Sequence, residues 1–100
     1  MPEHRWHELE ALFEREWNAK YGHTGLDWME VRQAYRFGWL MGQRPEFRGR
    51  PFREVKDDLA AHWFSPEAAT EEMAWDYIEE AVEEGYNRGQ EEQRRAREGV

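Results

Sequence analysis

The chain has 100 residues, a formal net charge of −8, 36% charged and 15% aromatic residues and no cysteine, which fits a single domain over residues 1–100. The missing cysteine excludes a disulfide framework and a thiolate metal site, and the acidic balance argues against a general nucleic-acid binder. No apolar run approaches the ~18 residues of a membrane helix and the N-terminus, MPEHRWHELE, is charged from its third residue, so neither a span nor a signal peptide is expected and the cytoplasm is the expected location.

A domain this small needs large core side chains, and six Trp, five Phe and four Tyr supply them. Pro2 and Glu3 suit a first helical turn; Trp6, Leu9, Phe13 and Trp17 then recur at spacings of three and four, with Leu12 beside them, and predict an amphipathic helix ending near Tyr21 and Gly22. Thr24 with Asp27 resembles a capping box that starts a second helix containing WMEVRQAYRFGWLMGQ, residues 28–43. Gly42, followed closely by Pro45, reads as that helix's C-cap. Residues 44–53, RPEFRGRPFR, contain two prolines and a glycine; they form the connection, with residues 44–50 as the linker, and are the only place where the pattern leaves room for extended backbone. Pro51 opens a third helix with Phe52, Val55, Leu59 and Trp63 on one face. Ser65-Pro66-Glu67 is a helix-start signature and gives a short turn before Thr70 begins a fourth helix. From residue 91 the charged tail EEQRRAREGV continues that helix on pairs such as Glu91/Arg95, or frays.

The second and fourth helices share one pattern. Residues 75–90, WDYIEEAVEEGYNRGQ, align with residues 28–43 at an offset of 47, pairing Trp28/Trp75, Val31/Ile78, Ala34/Ala81, Gly38/Gly85, Trp39/Tyr86, Gly42/Gly89 and Gln43/Gln90. The first and third helices correspond at an offset of 46. The expected fold is therefore all-α, a four-helix arrangement of two pseudo-twofold-related αα-hairpins produced by internal duplication, with repeat 1 over about residues 3–43 and repeat 2 over about 51–90. Glycine inside a helix costs about 1 kcal/mol relative to alanine, so Gly38 and Gly85 need compensation. Close backbone approach supplies it if the row Ala34, Gly38, Gly42 packs on Ala81, Gly85, Gly89, flanked by Tyr35, Trp39, Val82 and Tyr86. Glu30, Arg32 and Arg36 exclude a membrane version of such a crossing.

Few constellations carry chemistry. His4 and His7 lie one turn apart, but a solvated helix face accounts for them. His62 corresponds to Glu16 in the duplication and has Asp58 nearby, which makes His62, Glu16 and Asp58 the alternative metal or small-ligand set. Glu71, Glu72, Asp76, Glu79, Glu80, Glu83 and Glu84 suggest a di-metal carboxylate bundle, yet no Glu-x-x-His motif occurs, and an outer charged face is the simpler reading. Arg36, Arg44, Arg48, Arg50 and Arg53 form a basic block interleaved with Phe47 and Phe52. Such a block can grip phosphates or stack on bases, or it can pair with carboxylates of the fourth helix or of a second subunit. No catalytic residue and no cofactor is expected. The reading is a noncatalytic helical interaction or structural module whose partner is another protein or a second copy. Its surface is expected at the exposed ends of Tyr35, Trp39 and Tyr86 and at Arg36, Arg44, Arg48, Arg50 and Arg53. Contact with nucleic acid or another anion through the linker is the weaker alternative.

AYRFGW (34–39), RPEFRGRPFREV (44–55), Trp63 and Trp75 together resemble an uncharacterised family of small bacterial all-helical domains. Members carry a Tyr-Arg-aromatic-Gly block, an Arg-Gly-Arg linker and a second Trp-x2-[VI] helix, and some occur in stress-associated chains. The similarity covers roughly residues 13 to 89. Lys56 stands where the family pattern has an acid, and the Glu-rich fourth helix departs from a more basic version. The resemblance implies no catalytic residues.

Overall fold

The computed structural model describes the backbone of residues 2–22, 28–63 and 75–98, with the side chains of these except residues 2–5, 30, 76, 77 and 97. Helix α1 spans Pro2–Tyr21, α2 Trp28–Gly42, α3 Phe52–Trp63 and α4 Trp75–Glu98, with a 3-10 turn at Pro45–Phe47. No strand occurs among the described residues, and the all-α expectation holds. The Arg-rich connection forms a 3-10 turn at Pro45–Phe47, entered from Arg44 with a β-type backbone at φ −75° and ψ 139°. Thr24, Asp27, Ser65 to Glu67, Thr70, Glu71 and Glu72 lie outside the described residues. No helix among the described residues is long and apolar enough to cross a membrane. The packing divides into two compact units, Met1–Arg32 and Gln33–Val100, and the division falls inside α2, not at the Arg-rich linker.

In the first unit the three- and four-residue spacing of α1 turns Trp6, Phe13 and Trp17 inward, and Trp28 and Val31 of α2 are buried with them. Trp6 stacks on Trp28 at 6.2 Å and meets Phe13 at 5.8 Å, while Trp17 tilts against Tyr21 at 4.2 Å. Contacts of this kind contribute about 0.5–1.5 kcal/mol each beyond their buried area. Leu12, at the stripe's margin, stays exposed.

Glu10 joins the two helices of this unit. Arg32 donates to it through Nε and, at 3.1 Å, through a terminal guanidinium nitrogen, and the Trp28 indole N–H points at the same carboxylate from 3.5 Å. The guanidinium bonded to Glu10 holds its carboxyl below the usual carboxylate range. The Arg32 side chain is still 36% exposed, so solvent screens the pair and it contributes only about 1 kcal/mol. Because the folded-state pKa is lowered, that contribution is present above the unfolded carboxylate range and is lost as pH falls through the folded value. Glu10→Gln is therefore expected to lower the urea midpoint near neutral pH, with the difference from the parent chain vanishing in strong acid. A gap that persists there would assign the effect to packing instead.

The second unit is built on the two small-residue rows. A Cβ placed on Gly38 would lie 2.1 Å from the Val82 carbonyl oxygen, and one on Gly85 would lie 2.0 Å from that of Tyr35. A Cβ on Gly42 would likewise lie 2.3 Å from the Tyr86 carbonyl oxygen, and one on Gly89 2.2 Å from that of Trp39. Each member of these pairs has its counterpart 47 positions away, so the crossing is reciprocal about a local twofold. Residue numbers rise together on the two sides, hence α2 and α4 run in the same direction where they cross. Backbone this close replaces side-chain packing with direct backbone contact and favours Cα–H···O approaches. Gly42 does not act as a left-handed cap: among the described glycines only Gly49, at φ 72°, has a positive φ, and Gly42 is glycine because Tyr86 backbone lies against it.

Helix α3 covers the same unit with Phe52, Val55, Leu59 and Trp63 buried. Phe52 meets the Tyr86 ring at 5.9 Å, and Lys56 further along α3 is felt electrostatically by Glu83, earlier on α4. The opposed order makes α3 and α4 an antiparallel pair. Trp63 closes this core edge-on to Phe37 at 5.3 Å.

Candidate functional site

The Arg-rich linker is the best-defined surface feature, and α4 fixes its shape. Its backbone turns on itself: the N–H groups of Phe47, Arg48 and Arg50 donate to the carbonyls of Arg44, Pro45 and Phe47 at 3.0–3.2 Å. Gly49 adopts its positive φ with open space around it, a conformation that favours glycine. Gln90 then clamps the turn. Its amide nitrogen donates to the Phe47 carbonyl at 2.8 Å and the Gly42 carbonyl at 3.1 Å, and its amide oxygen accepts from the Gly49 N–H at 3.1 Å. The Tyr86 hydroxyl donates to the Arg50 carbonyl at 2.6 Å and accepts from Gln90 at 3.1 Å. Gln93 adds a bond to the Gln43 carbonyl at 3.1 Å. Phe47 anchors the turn from inside, buried and edge-on to Tyr86 at 6.4 Å.

What this scaffold presents outward is guanidinium. Arg44, Arg48, Arg50 and Arg53 are all exposed. Arg44 pairs with Glu46 at 3.2 Å and Arg50 with Glu54 at 3.9 Å, both partners on the same stretch of chain. These pairs leave the Arg44 and Arg50 side chains 45% and 43% exposed, with donors of each five-donor fork still facing solvent. The loop's backbone donors are largely spent on the turn and on Gln90, so it is no anion-cradling nest, and any anion would be held by side chains.

The other expected site residues fall elsewhere. Tyr35, Trp39 and Tyr86 are 2%, 0% and 0% exposed, which corrects the expectation that their ends reach the surface. The glycine crossing draws the two backbones together, and the rings flanking it are enclosed. Burial accordingly raises the hydroxyl pKa of both tyrosines, with Glu84 and Glu91 adding to the effect at Tyr35. Arg36 is half-buried on α2, apart from the exposed set. Phe47 and Phe52 are turned into the core, so the interleaved aromatics give no stacking platform for bases.

His62 and Asp58 are exposed, one turn apart on α3, and Glu16 belongs to the other unit. No group of three or more His, Cys, Asp or Glu able to hold a metal ion occurs among the described residues. Of the α4 carboxylates, Glu79 and Glu84 are half-buried and Glu80 and Glu83 exposed. Partial desolvation, then Glu79, Glu84 and Glu80, raises the Glu83 carboxyl, with Lys56 opposing. That stretch of α4 thus concentrates carboxylates.

Sequence reasoning did not single out Gln90, Gln93 or Glu10. A signal for the first was available, because Gln43 and Gln90 close the same motif in both copies. Their roles differ: Gln43 folds back to its own helix, donating to the Trp39 carbonyl at 2.9 Å, whereas Gln90 reaches across to the linker. No known protein family, curated protein or solved structure matches the chain.

Proposed function

We propose that the protein is a noncatalytic helical interaction module that offers Arg44, Arg48, Arg50 and Arg53 to a carboxylate-bearing protein surface. The observation that carries this reading is the clamp from Gln90 and Tyr86, which holds an exposed loop in one shape. A loop already ordered loses less entropy when it binds, so weak guanidinium contacts count for more. Planar forks suit carboxylates in bidentate geometry. The resemblance drawn from the Tyr-Arg-aromatic-Gly block and the linker implies no catalytic residues, in keeping with a binding role.

The test is fluorescence anisotropy with a labelled polyglutamate peptide. Binding to the parent chain is expected at low salt, falling as salt rises, and Arg44→Gln, Arg48→Gln, Arg50→Gln and Arg53→Gln together should abolish it. Binding that survives the fourfold change would place recognition elsewhere and overturn the reading.

A further inference from the structure

Accepting the Arg loop as a binding surface, we infer that its partner is a second copy of this chain, docked antiparallel along the α3–α4 edge. In that arrangement the loop of each copy meets the carboxylates at the far end of the other. This inference rests on the reading above and adds the identity of the partner.

Helix geometry puts both signs of charge on one edge. At about 100° per residue, Glu79, Glu83, Gln90 and Arg94 of α4 fall within about 40° of one line. Gln90 holds the basic loop, and the rise of ~1.5 Å per residue sets Glu83 and Glu79 about 10 and 16 Å back from it. Helix α3 runs antiparallel beside α4 and repeats the gradient, with Arg53 exposed at its loop end and Asp57 and Asp58 exposed further on. Lys56 interrupts the acidic end without neutralising it, since Glu83 still feels Glu79, Glu84 and Glu80.

Glu46 and Glu54 engage Arg44 and Arg50 within the loop, and Asp57 stands one turn from Arg53. Glu83 and Glu79, by contrast, lie farther along α4 from the loop than the ~8 Å over which charges act at physiological salt. The clamp prevents the loop from swinging back across that gap. A twofold rotation perpendicular to the edge brings basic end onto acidic end twice over, and a self-complementary patch of this kind closes as a dimer. A foreign acidic protein would have to supply a matching pattern that this chain already carries. A nucleic acid lying along the edge would meet the carboxylates as well as the arginines, and the two loop phenylalanines are not free to stack on its bases.

Sedimentation velocity on the full chain tests the idea at about 50 mM and 500 mM sodium chloride, which shortens the screening length roughly threefold. A reversible dimer is expected at low salt, with association weakened at least ~10-fold at high salt, as charge-steered contacts are. Two triple variants confined to the edge, Arg48→Gln/Arg50→Gln/Arg53→Gln and Asp57→Asn/Glu79→Gln/Glu83→Gln, should each be monomeric. Mixed in equal amounts they should associate again, because one intact basic end then faces one intact acidic end. A parent chain that stays monomeric at low salt, variants that dimerise like the parent, or a mixture that does not associate would each overturn the inference. So would tighter binding of a labelled oligonucleotide than of polyglutamate. A monomeric chain that still binds polyglutamate through its arginines would sink the self-pairing and leave the loop's role standing, whereas loss of both would sink the two together.

Discussion

Gly38→Ala and Gly85→Ala are expected to destabilise the protein by at least ~2 kcal/mol each, even though alanine is the better helix former by about 1 kcal/mol. The reason is the object that the new methyl group meets. It is not a side chain able to rotate away but a carbonyl oxygen, at 2.1 Å for Gly38 and 2.0 Å for Gly85. Relief requires α2 and α4 to move apart, and the rings packed around the crossing then lose contact on both sides. Leucine at either site should be worse. Gly22→Ala is the control, since nothing lies within 4 Å of the added group there, and it should be close to neutral. Urea denaturation followed by tryptophan fluorescence measures all of these. The double variant is expected to cost clearly less than the sum of the singles, because a crossing already opened by one methyl group has room for the second. Strict additivity, or a melting temperature raised by either alanine, would show that the close approach is not what requires glycine.

Gln90 offers the second large effect, and here the sign of a dipole matters more than volume. Gln90→Ala removes donors from the Phe47 and Gly42 carbonyls and an acceptor from the Gly49 N–H. The Phe47 carbonyl keeps the Arg50 N–H and the Gly49 N–H is exposed, so the penalty of about 1–3 kcal/mol falls mainly on the part-buried Gly42 carbonyl, which loses its side-chain donor. Gln90→Glu is nearly isosteric, yet near neutral pH it turns an acceptor toward two carbonyl oxygens, and it should destabilise at least as much as alanine. The introduced carboxyl recovers a donor when protonated, so its folded-state pKa is raised. The penalty should therefore shrink as pH falls through that raised value, whereas the alanine variant shows no such recovery. Hydrogen exchange at the Gly49 amide provides a local readout, with faster exchange expected in both variants. Protection there that matches the parent chain would mean that the linker holds its shape without α4.

Much of the fold was legible because it is written in periodicity. Trp6, Phe13 and Trp17 at helical spacing, and Phe52, Val55, Leu59 and Trp63 after Pro51, mark buried faces that need no tertiary information. The glycine crossing was legible for another reason: Gly38 sits in mid-helix, where glycine is disfavoured, and only a close neighbour accounts for it. Surface assignments were harder. Tyr35, Trp39 and Tyr86 carry polar handles, so they read as edge residues. How deeply they sit depends on how near two backbones come, a distance no spacing rule provides. Gly42 does end α2, as the nearby Pro45 suggests, but the backbone of Tyr86, which no local pattern reveals, is what requires glycine there. The Glu10 and Gln90 bonds reach 22 and 43 residues along the chain, and single polar residues at such separations leave no local pattern.

The shared direction of α2 and α4 also bears on how the molecule assembles. Helices that point the same way cannot be joined by a tight turn, so α3 must return along the crossing before α4 can begin. The antiparallel pairing of α3 with α4 is comparatively near at hand; Gly38 has to wait for Gly85, and such distant meetings come late in folding. During synthesis the bare glycine face of α2 therefore stays uncovered until Gly85 and Gly89 have emerged, an interval in which neighbouring nascent chains compete for it.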